Sequence, residues 1–411
     1  MDGVRSSKSY ARGGREGEFD IRSTRYRRRS PPMTIRAALP PAIALVPGFF
    51  GFDHSGGSTY FADRFVAGLR CVLEARGIAG VPVVAVSTLG IASLRRRQVE
   101  LLTELTALET PRDGEPRLGG PRTWHLLGHS TGGVDAALLL RDAPLVANGA
   151  DTAFGRDGWG KWSDLVRRVS SVTTIAAPHF GTGLAASPLA RFASGHPSLA
   201  ALRDMARATL DVARRGDLAS RIRFGLSASP RVTKMPFFLV QMLLMNELAR
   251  DLHPDVLGAL SSRPVRSSAE GRVASLATLA PRPKDDHSDK LFRDMWRWTH
   301  RGAMSSQSHP RSPAFDDAAL RLPTQRSIAL VDTDDGDNDG IVTTHRQVLG
   351  DLIGIIIGDH VDVLGRYRRS SMVDDKVIDP GLLTSGAEFG DDEFFGLLVR
   401  IGERIAQMVS S

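Results

Sequence analysis

Short apolar runs alternate with segments of helical period along this chain, and that rhythm carries the first inference. Ala42-Ile-Ala-Leu-Val46 is a run without polar interruption, as a strand buried on both faces requires. Pro47-Gly-Phe-Phe-Gly-Phe-Asp53 then breaks it as a glycine-punctuated loop. Tyr60 to Arg76 places Phe61, Phe65, Leu69 and Val72 at helical spacing, Val81–Val86 predicts the next strand, and 94–108 predicts a helix with Leu101, Leu102, Leu105 and Leu108 on one side. Trp124, Leu126 and Leu127 begin a third strand, and Val134 with Ala136–Leu140 a helix behind it. Trp159 and Trp162 fall in a Gly-rich insert, and Val169–Ala176 is a further apolar strand ending at Pro178-His-Phe-Gly181. This alternation predicts an α/β fold: a mostly parallel sheet with helices on both faces.

From about 184 to 323 the rhythm changes to helical stretches joined by Pro- and Ser-rich loops, which predicts a helical cap inserted into the sheet domain. Pro236 to Ala249 is nearly all apolar and reads equally as core packing or as the lining of an acyl pocket, where flexible methionines suit irregular ligands. Val273–Leu279 reads as an added strand, and Asp285 to Arg311 as a polar surface excursion. Sheet rhythm returns at Ser327-Ile-Ala-Leu-Val-Asp332 and, after an acidic loop and a helix from Thr344, at Ile353–Gly358. An amphipathic helix through Phe394, Leu398, Ile401, Ile405 and Met408 closes the chain.

Composition changes this picture at one end. Residues 1–32 hold nine basic and four acidic side chains, a balance of +5 that leaves about +2 of the total +7 for the rest. The basicity belongs to a tail, residues 1–35, expected to be disordered, and the expected domain is 36–411. A solvated tail is the expectation and nucleic acid is not an expected partner. The single cysteine, Cys71, excludes an internal disulfide and a thiolate-rich metal site. No signal peptide is recognised, because Pro40, Pro41 and Pro47 interrupt the first apolar run, and no run approaches the ~18 apolar residues of a membrane span. A cytoplasmic location is the expectation, with transient contact at a lipid interface compatible with it.

The chemistry concentrates in Gly128-His-Ser-Thr-Gly132. A G-x-S-x-G sequence between an apolar strand and a helix is the setting of a nucleophile elbow, where a sharp turn projects the serine hydroxyl and the glycines let strand and helix pass closely. A serine hydroxyl needs a base, and the base a carboxylate that fixes its tautomer. The α/β-hydrolase chain order of nucleophile, acid and base is met by Ser130, an aspartate of the acidic loop, and His360. His129 lies within the elbow and is expected to face away from the serine; His179 precedes the acid, His345 opens the helix after it, and His54 is nearer the first loop. The acid stays open on this ground, since Asp332, Asp334, Asp335, Asp337 and Asp339 crowd one loop.

Val46-Pro-Gly-Phe-Phe-Gly-Phe-Asp53, Gly128–Gly133, Ala177-Pro-His-Phe-Gly181, Asn338-Asp-Gly-Ile-Val342 and Asp359-His-Val-Asp362 together resemble the bacterial triacylglycerol lipases and esterases of the α/β-hydrolase superfamily. The resemblance covers roughly 42–181 and 326–365. It implies Asp339 as the acid, His360 as the base, and the backbone N–H groups of Phe49 and Thr131 as an oxyanion hole. It implies a serine carboxylester hydrolase acting on small-molecule or lipid esters without a cofactor. Acyltransferase or thioesterase chemistry on the same fold is the alternative, and a non-catalytic binding protein using the Arg-rich arm is another. Pro47-Gly48 departs from the His-Gly usual in those proteins, and some of them bind Ca²⁺ through the aspartate matching Asp362, for which Asp316, Asp317 or Asp332 is a candidate partner.

Overall fold

Ala42–Val46 is apolar and buried at every position, so it must be covered on both sides. In the computed structural model it is one of six strands paired side by side. The described residues are 39–49, 60–90, 92–110, 118, 120–148, 158–186, 246–281, 299–303, 335–367, 385, 387 and 389–410. Met1–Ala38 and Leu39–Ser411 are separate units, and only the second contains described residues. The basic tail and most of the expected cap therefore lie outside them, as do His54, Asp332, Asp334 and the apolar stretch up to residue 245.

The strands are β1 (Ala42–Val46), β2 (Val83–Ala85), β3 (Trp124–His129), β4 (Val169–Ile175), β5 (Val273–Leu279) and β6 (Asp351–Ile357). They pair in the order β2-β1-β3-β4-β5-β6, and every pairing is parallel. This is the parallel α/β sheet with helices on both faces that the sequence pattern predicts. The expected added strand β5 is an interior member, between β4 and β6.

Successive residues of β1 serve opposite faces. Ile43 and Leu45 pack with helices α1 (Asp63–Ala75) and α7 (Asp391–Ser410), through Phe65, Leu69, Leu73, Leu398 and Ile401. Ala42, Ala44 and Val46 face helices α2 (Leu94–Glu109), α3 (Thr131–Leu139) and α4 (Gly158–Arg167), through Leu101, Leu105, Ala136 and Trp162. Alternate side chains of a strand point to opposite faces, so five residues are enough to join two cores. Two short helices follow β4: α5 (Asn246–Asp251) and α6 (Pro254–Ser261). Their Leu248 and Leu257, with Leu252 between them, meet Val134 and Leu138 of α3 and the half-buried Phe49.

Three expectations are corrected. The Gly-rich insert that carries Trp159 and Trp162 is helix α4, because Leu165 and Val166 continue a helical apolar face beyond the glycines. The helix expected from Thr344 is a single 3-10 turn, Thr344–Gln347, because its side chains are recruited to buried hydrogen bonds. Residues 299–303, expected on the surface, bury Thr299, His300 and Ala303.

Ile401, fully buried where α7 meets the sheet, should cost about 2–5 kcal/mol when replaced by Ala. Phe395, on the same helix and 57 % exposed, should change stability by no more than about 0.5 kcal/mol as Phe395→Ala. Urea unfolding of the two variants checks the contrast; equal losses would contradict this placement of α7.

Candidate active site

The turn from β3 to α3 is the most constrained point of the sheet edge. Ser130 has φ 54° and ψ −131°, a conformation that costs a side-chain-bearing residue about 1–3 kcal/mol. Two hydrogen bonds hold it: Ser130 N–H donates to the Ile175 carbonyl and Gly133 N–H to the Ser130 carbonyl, both at 2.9 Å. The glycines are required sterically. A Cβ on Gly128 would lie 2.5 Å from the Gly133 Cα, one on Gly132 2.5 Å from the Pro47 oxygen, and one on Gly133 2.6 Å from the Ala177 Cβ.

Two loops from the far half of the sheet bring polar groups to this serine. After β6, the turn 358–362 is tied by its own carboxylates: Asp359 Oδ1 accepts from the N–H groups of Val361 (2.9 Å) and Asp362 (3.0 Å), and Asp362 Oδ2 from Asp359 N–H (2.9 Å). Burial pushes Asp359 up to about 6 and Asp362 well above the usual carboxylate range, the latter also through its neighbour's charge. The turn presents His360 with Nε2 at 2.8 Å from Ser130 Oγ and Nδ1 at 2.7 Å from Asp339 Oδ2. Beside a carboxylate, Nδ1 carries the proton and donates, which leaves Nε2 to accept from the serine hydroxyl.

Asp339 is completely buried, and both oxygens are used. Oδ1 accepts from the N–H groups of Ile341 (2.9 Å) and Val342 (2.8 Å). Oδ2 faces Thr278 Oγ1 (2.6 Å) and Gln347 Nε2 (3.2 Å) besides His360. A buried carboxylate so supplied with donors is held in a single orientation. Gly340, at φ 95°, makes the reversal that aims it.

The structure thus brings Ser130, Asp339 and His360 together. The other residues singled out from the sequence lie as follows. Thr131 is the first residue of α3, and Phe49 stands in the turn after β1. That turn abuts the serine: a Cβ on Gly48 would lie 2.6 Å from the Ser130 Cβ. His129 makes no hydrogen bond to Ser130; it bonds Tyr60 and the His360 carbonyl. His179 is buried against Thr174 Oγ1 at 3.0 Å, and His345 is buried in the 3-10 turn. Among the described residues no group of three or more His, Cys, Asp or Glu side chains is arranged to hold a metal ion, and Asp362 is engaged with Asp359. Among them, too, no helix is long and apolar enough to cross a membrane.

Sequence reasoning missed the supports. Gln347 and Thr278 look like ordinary polar residues in the sequence. Arg97, on α2, is completely buried although it follows two other arginines. Its Nε donates to Asp135 Oδ2 at 2.8 Å, and its Nη atoms reach the carbonyls of Leu89 and Pro47 at 2.9 Å each. The pair joins the helix behind Ser130 to the loop carrying Phe49. Burial pushes Asp135 up to about 6 against the pull of Arg97.

No family model and no curated protein matches this chain. Solved structures do. Lipase 1 from Pelosinus fermentans is 17 % identical, with a TM-score of 0.41 and coverage of 90 % of this chain and 99 % of that one. The Staphylococcus hyicus lipase is 16 % identical, with a TM-score of 0.43 and coverage of 90 % and 96 %. EstA from Clostridium botulinum is 18 % identical, with a TM-score of 0.39 and 89 % coverage of each chain. The fold assignment stands on strand order and register rather than on these likenesses.

Gly132→Ala should destabilise the protein by more than about 2 kcal/mol, because the added methyl meets backbone that cannot move aside. On α4, Gly160→Ala meets nothing within 4 Å and should be neutral or gain up to about 1 kcal/mol. Thermal unfolding of the two variants decides this, and a Gly132→Ala protein as stable as the parent would contradict the close passage of α3 over the β1 loop.

Proposed function

We propose that this chain is a serine carboxylester hydrolase of lipase-like type. One observation carries the reading: a serine on a positive-φ turn, hydrogen-bonded to a histidine whose other nitrogen is held by a fully buried aspartate. Ser130 Oγ attacks the ester carbonyl carbon as His360 Nε2 takes its proton. The tetrahedral intermediate collapses, the carbon–oxygen bond to the alcohol breaks, and His360 returns the proton to the departing oxygen. Water then attacks the acyl-enzyme by the same route in reverse. Asp339 keeps the imidazole in the Nδ1–H tautomer and balances the imidazolium charge. The N–H groups of Phe49 and Thr131 are the proposed oxyanion donors; loss of one such donor typically costs about 100- to 1,000-fold in rate.

Every step uses this chain's own residues and needs no cofactor. An acyltransferase or a thioesterase would use the same three side chains, so the acceptor and the leaving group are what distinguish them. The proposed substrates are small-molecule or lipid esters.

A fluorophosphonate probe should label Ser130, and Ser130→Ala should abolish both labelling and hydrolysis of short p-nitrophenyl esters with its melting temperature almost unchanged. Absence of any serine adduct on the intact chain would overturn the reading in favour of a binding protein. For the acid, Asp339→Asn should lose at least about 100-fold in kcat, since the equivalent change in serine proteases costs about four orders of magnitude. Asp335→Asn and Asp337→Asn should stay within a few-fold, as should His345→Ala. A dead Asp337 variant beside an active Asp339 variant would move the acid.

A further inference from the structure

His129 is placed so that each of its ring nitrogens has a single role. Nε2 lies 2.8 Å from the His360 carbonyl oxygen. A carbonyl can only accept, so Nε2 carries a proton. Nδ1 lies 2.7 Å from the Tyr60 hydroxyl. In the neutral ring Nδ1 must accept, so the tyrosine donates. The phenol oxygen is in turn hydrogen-bonded by the Gly48 backbone. The bond favours the phenolate, which makes the Gly48 N–H its donor. A chain of donors therefore runs from Gly48, next to Phe49, through Tyr60 and His129 to the backbone of His360.

We infer that Tyr60 and His129 are positioning residues of this site: Tyr60 holds His129 as the neutral Nε2–H tautomer, and that ring fixes the His360 turn and the Gly48 loop in register with Ser130. The inference rests on the reading of Ser130, His360 and Asp339 as the reacting set.

Three observations support it. The His129 and His360 ring centroids are 4.8 Å apart, so a charge on one is felt by the other. Burial drives His129 well below the ordinary histidine range, and a charge on His360 pushes it the same way, against the bond that Nε2–H donates to the His360 carbonyl. Burial also raises the Tyr60 phenol, which keeps it a donor. The groups facing this pair are His360 on the ring side, with Asp339 behind it, and Arg97 and Arg366 on the tyrosine side. Protonating His129 would turn the Tyr60 O–H away from its acceptor and set a second cation beside the imidazolium that the reaction needs.

Removing the hydroxyl should reverse this. In Tyr60→Phe, Nδ1 loses its donor, so the ring takes a proton more readily as pH falls. The defect should then grow toward acid, whereas a merely loosened structure gives the same loss at every pH.

The test uses the full chain with ¹⁵N-labelled histidine. Long-range ¹H–¹⁵N spectra should show His129 as the neutral Nε2–H tautomer from pH 9 down to pH 5.5 in the parent, its signal identified by its absence in His129→Gln. In Tyr60→Phe the same ring should take up its proton at least one pH unit higher than in the parent. Alongside, kcat/KM for a short p-nitrophenyl ester should fall about tenfold at pH 8 in Tyr60→Phe. The ratio to the parent should widen by about a further tenfold per pH unit below the point where His129 charges. Adding His129→Gln, which can donate and accept at the same two places but cannot titrate, should remove that widening. An Nδ1–H tautomer in the parent, titration of parental His129 near its ordinary value, or a Tyr60→Phe defect equal at pH 6 and pH 8 would each overturn the inference. A parent that hydrolyses no ester would overturn the proposed activity instead, and the spectra would still decide the positioning claim.

Discussion

The site depends on a close approach of backbone to backbone. α3 can begin directly behind β3 only if Ser130 accepts a left-handed conformation and if Gly128, Gly132 and Gly133 carry no side chains where strand, helix and the β1 loop converge. The strain of that turn, about 1–3 kcal/mol, is offset by what surrounds it. Parallel pairing of β3 with both β1 and β4, the Ile175 carbonyl that receives the Ser130 N–H, and an apolar α3 buried along its length all resist relaxation. A parallel sheet then places the loops after β5 and β6 at the same edge, so an aspartate and a histidine meet a serine more than 200 residues before them in the chain.

Around this edge polar groups are buried in quantity, and several of them are hydrogen-bonded to one another. Asp339 satisfies both oxygens with backbone, hydroxyl, amide and imidazole. Asp359 and Asp362 cap each other's turn. Arg97 directs its guanidinium to three carbonyls and a carboxylate. Removing one member of such a buried pair leaves the other charge stranded, at a cost of about 3–5 kcal/mol, so these groups specify one arrangement of loops more than they add net stability. The Pro47-Gly48 departure fits here. Proline has no N–H to place, and its carbonyl is held by Arg97 while the Gly48 backbone meets Tyr60.

Much of this is legible in the sequence, for a physical reason. β1, β3, β4 and β5 hold no Asp, Glu, Lys or Arg, so they announce themselves as uncharged runs, and a glycine-flanked serine between strand and helix marks a tight turn that projects a hydroxyl. Ser130 and the Asn338-Asp-Gly340 turn are visible because glycine beside a polar residue marks a sharp turn, and His360 because it follows the last apolar strand. The supports are not. Arg97 is set apart from Arg95 and Arg96 only by its spacing, three residues after Leu94 and four before Leu101 on the face that is buried, and its partners cannot be read from that; Gln347 and Tyr60 reach theirs only through tertiary folding. The 3-10 turn at Thr344–Gln347 reads as a helix in the sequence because local pattern cannot register that Thr344 and Gln347 are drawn to β5. The preference for Asp339 over its loop neighbours comes from resemblance, while its burial and the hydrogen-bonding partners of its carboxylate are properties of the fold.

The central claim is that Ser130 becomes acylated. Rapid acid quenching of the full chain during turnover of p-nitrophenyl butyrate, followed by peptide mapping by mass spectrometry, measures it directly. The expected result is a butyryl group on the peptide containing Ser130, accumulating at up to one per chain and disappearing as the ester is exhausted. Turnover without any acyl-peptide, or an acyl group lodged on another residue and discharged at the catalytic rate, would contradict it.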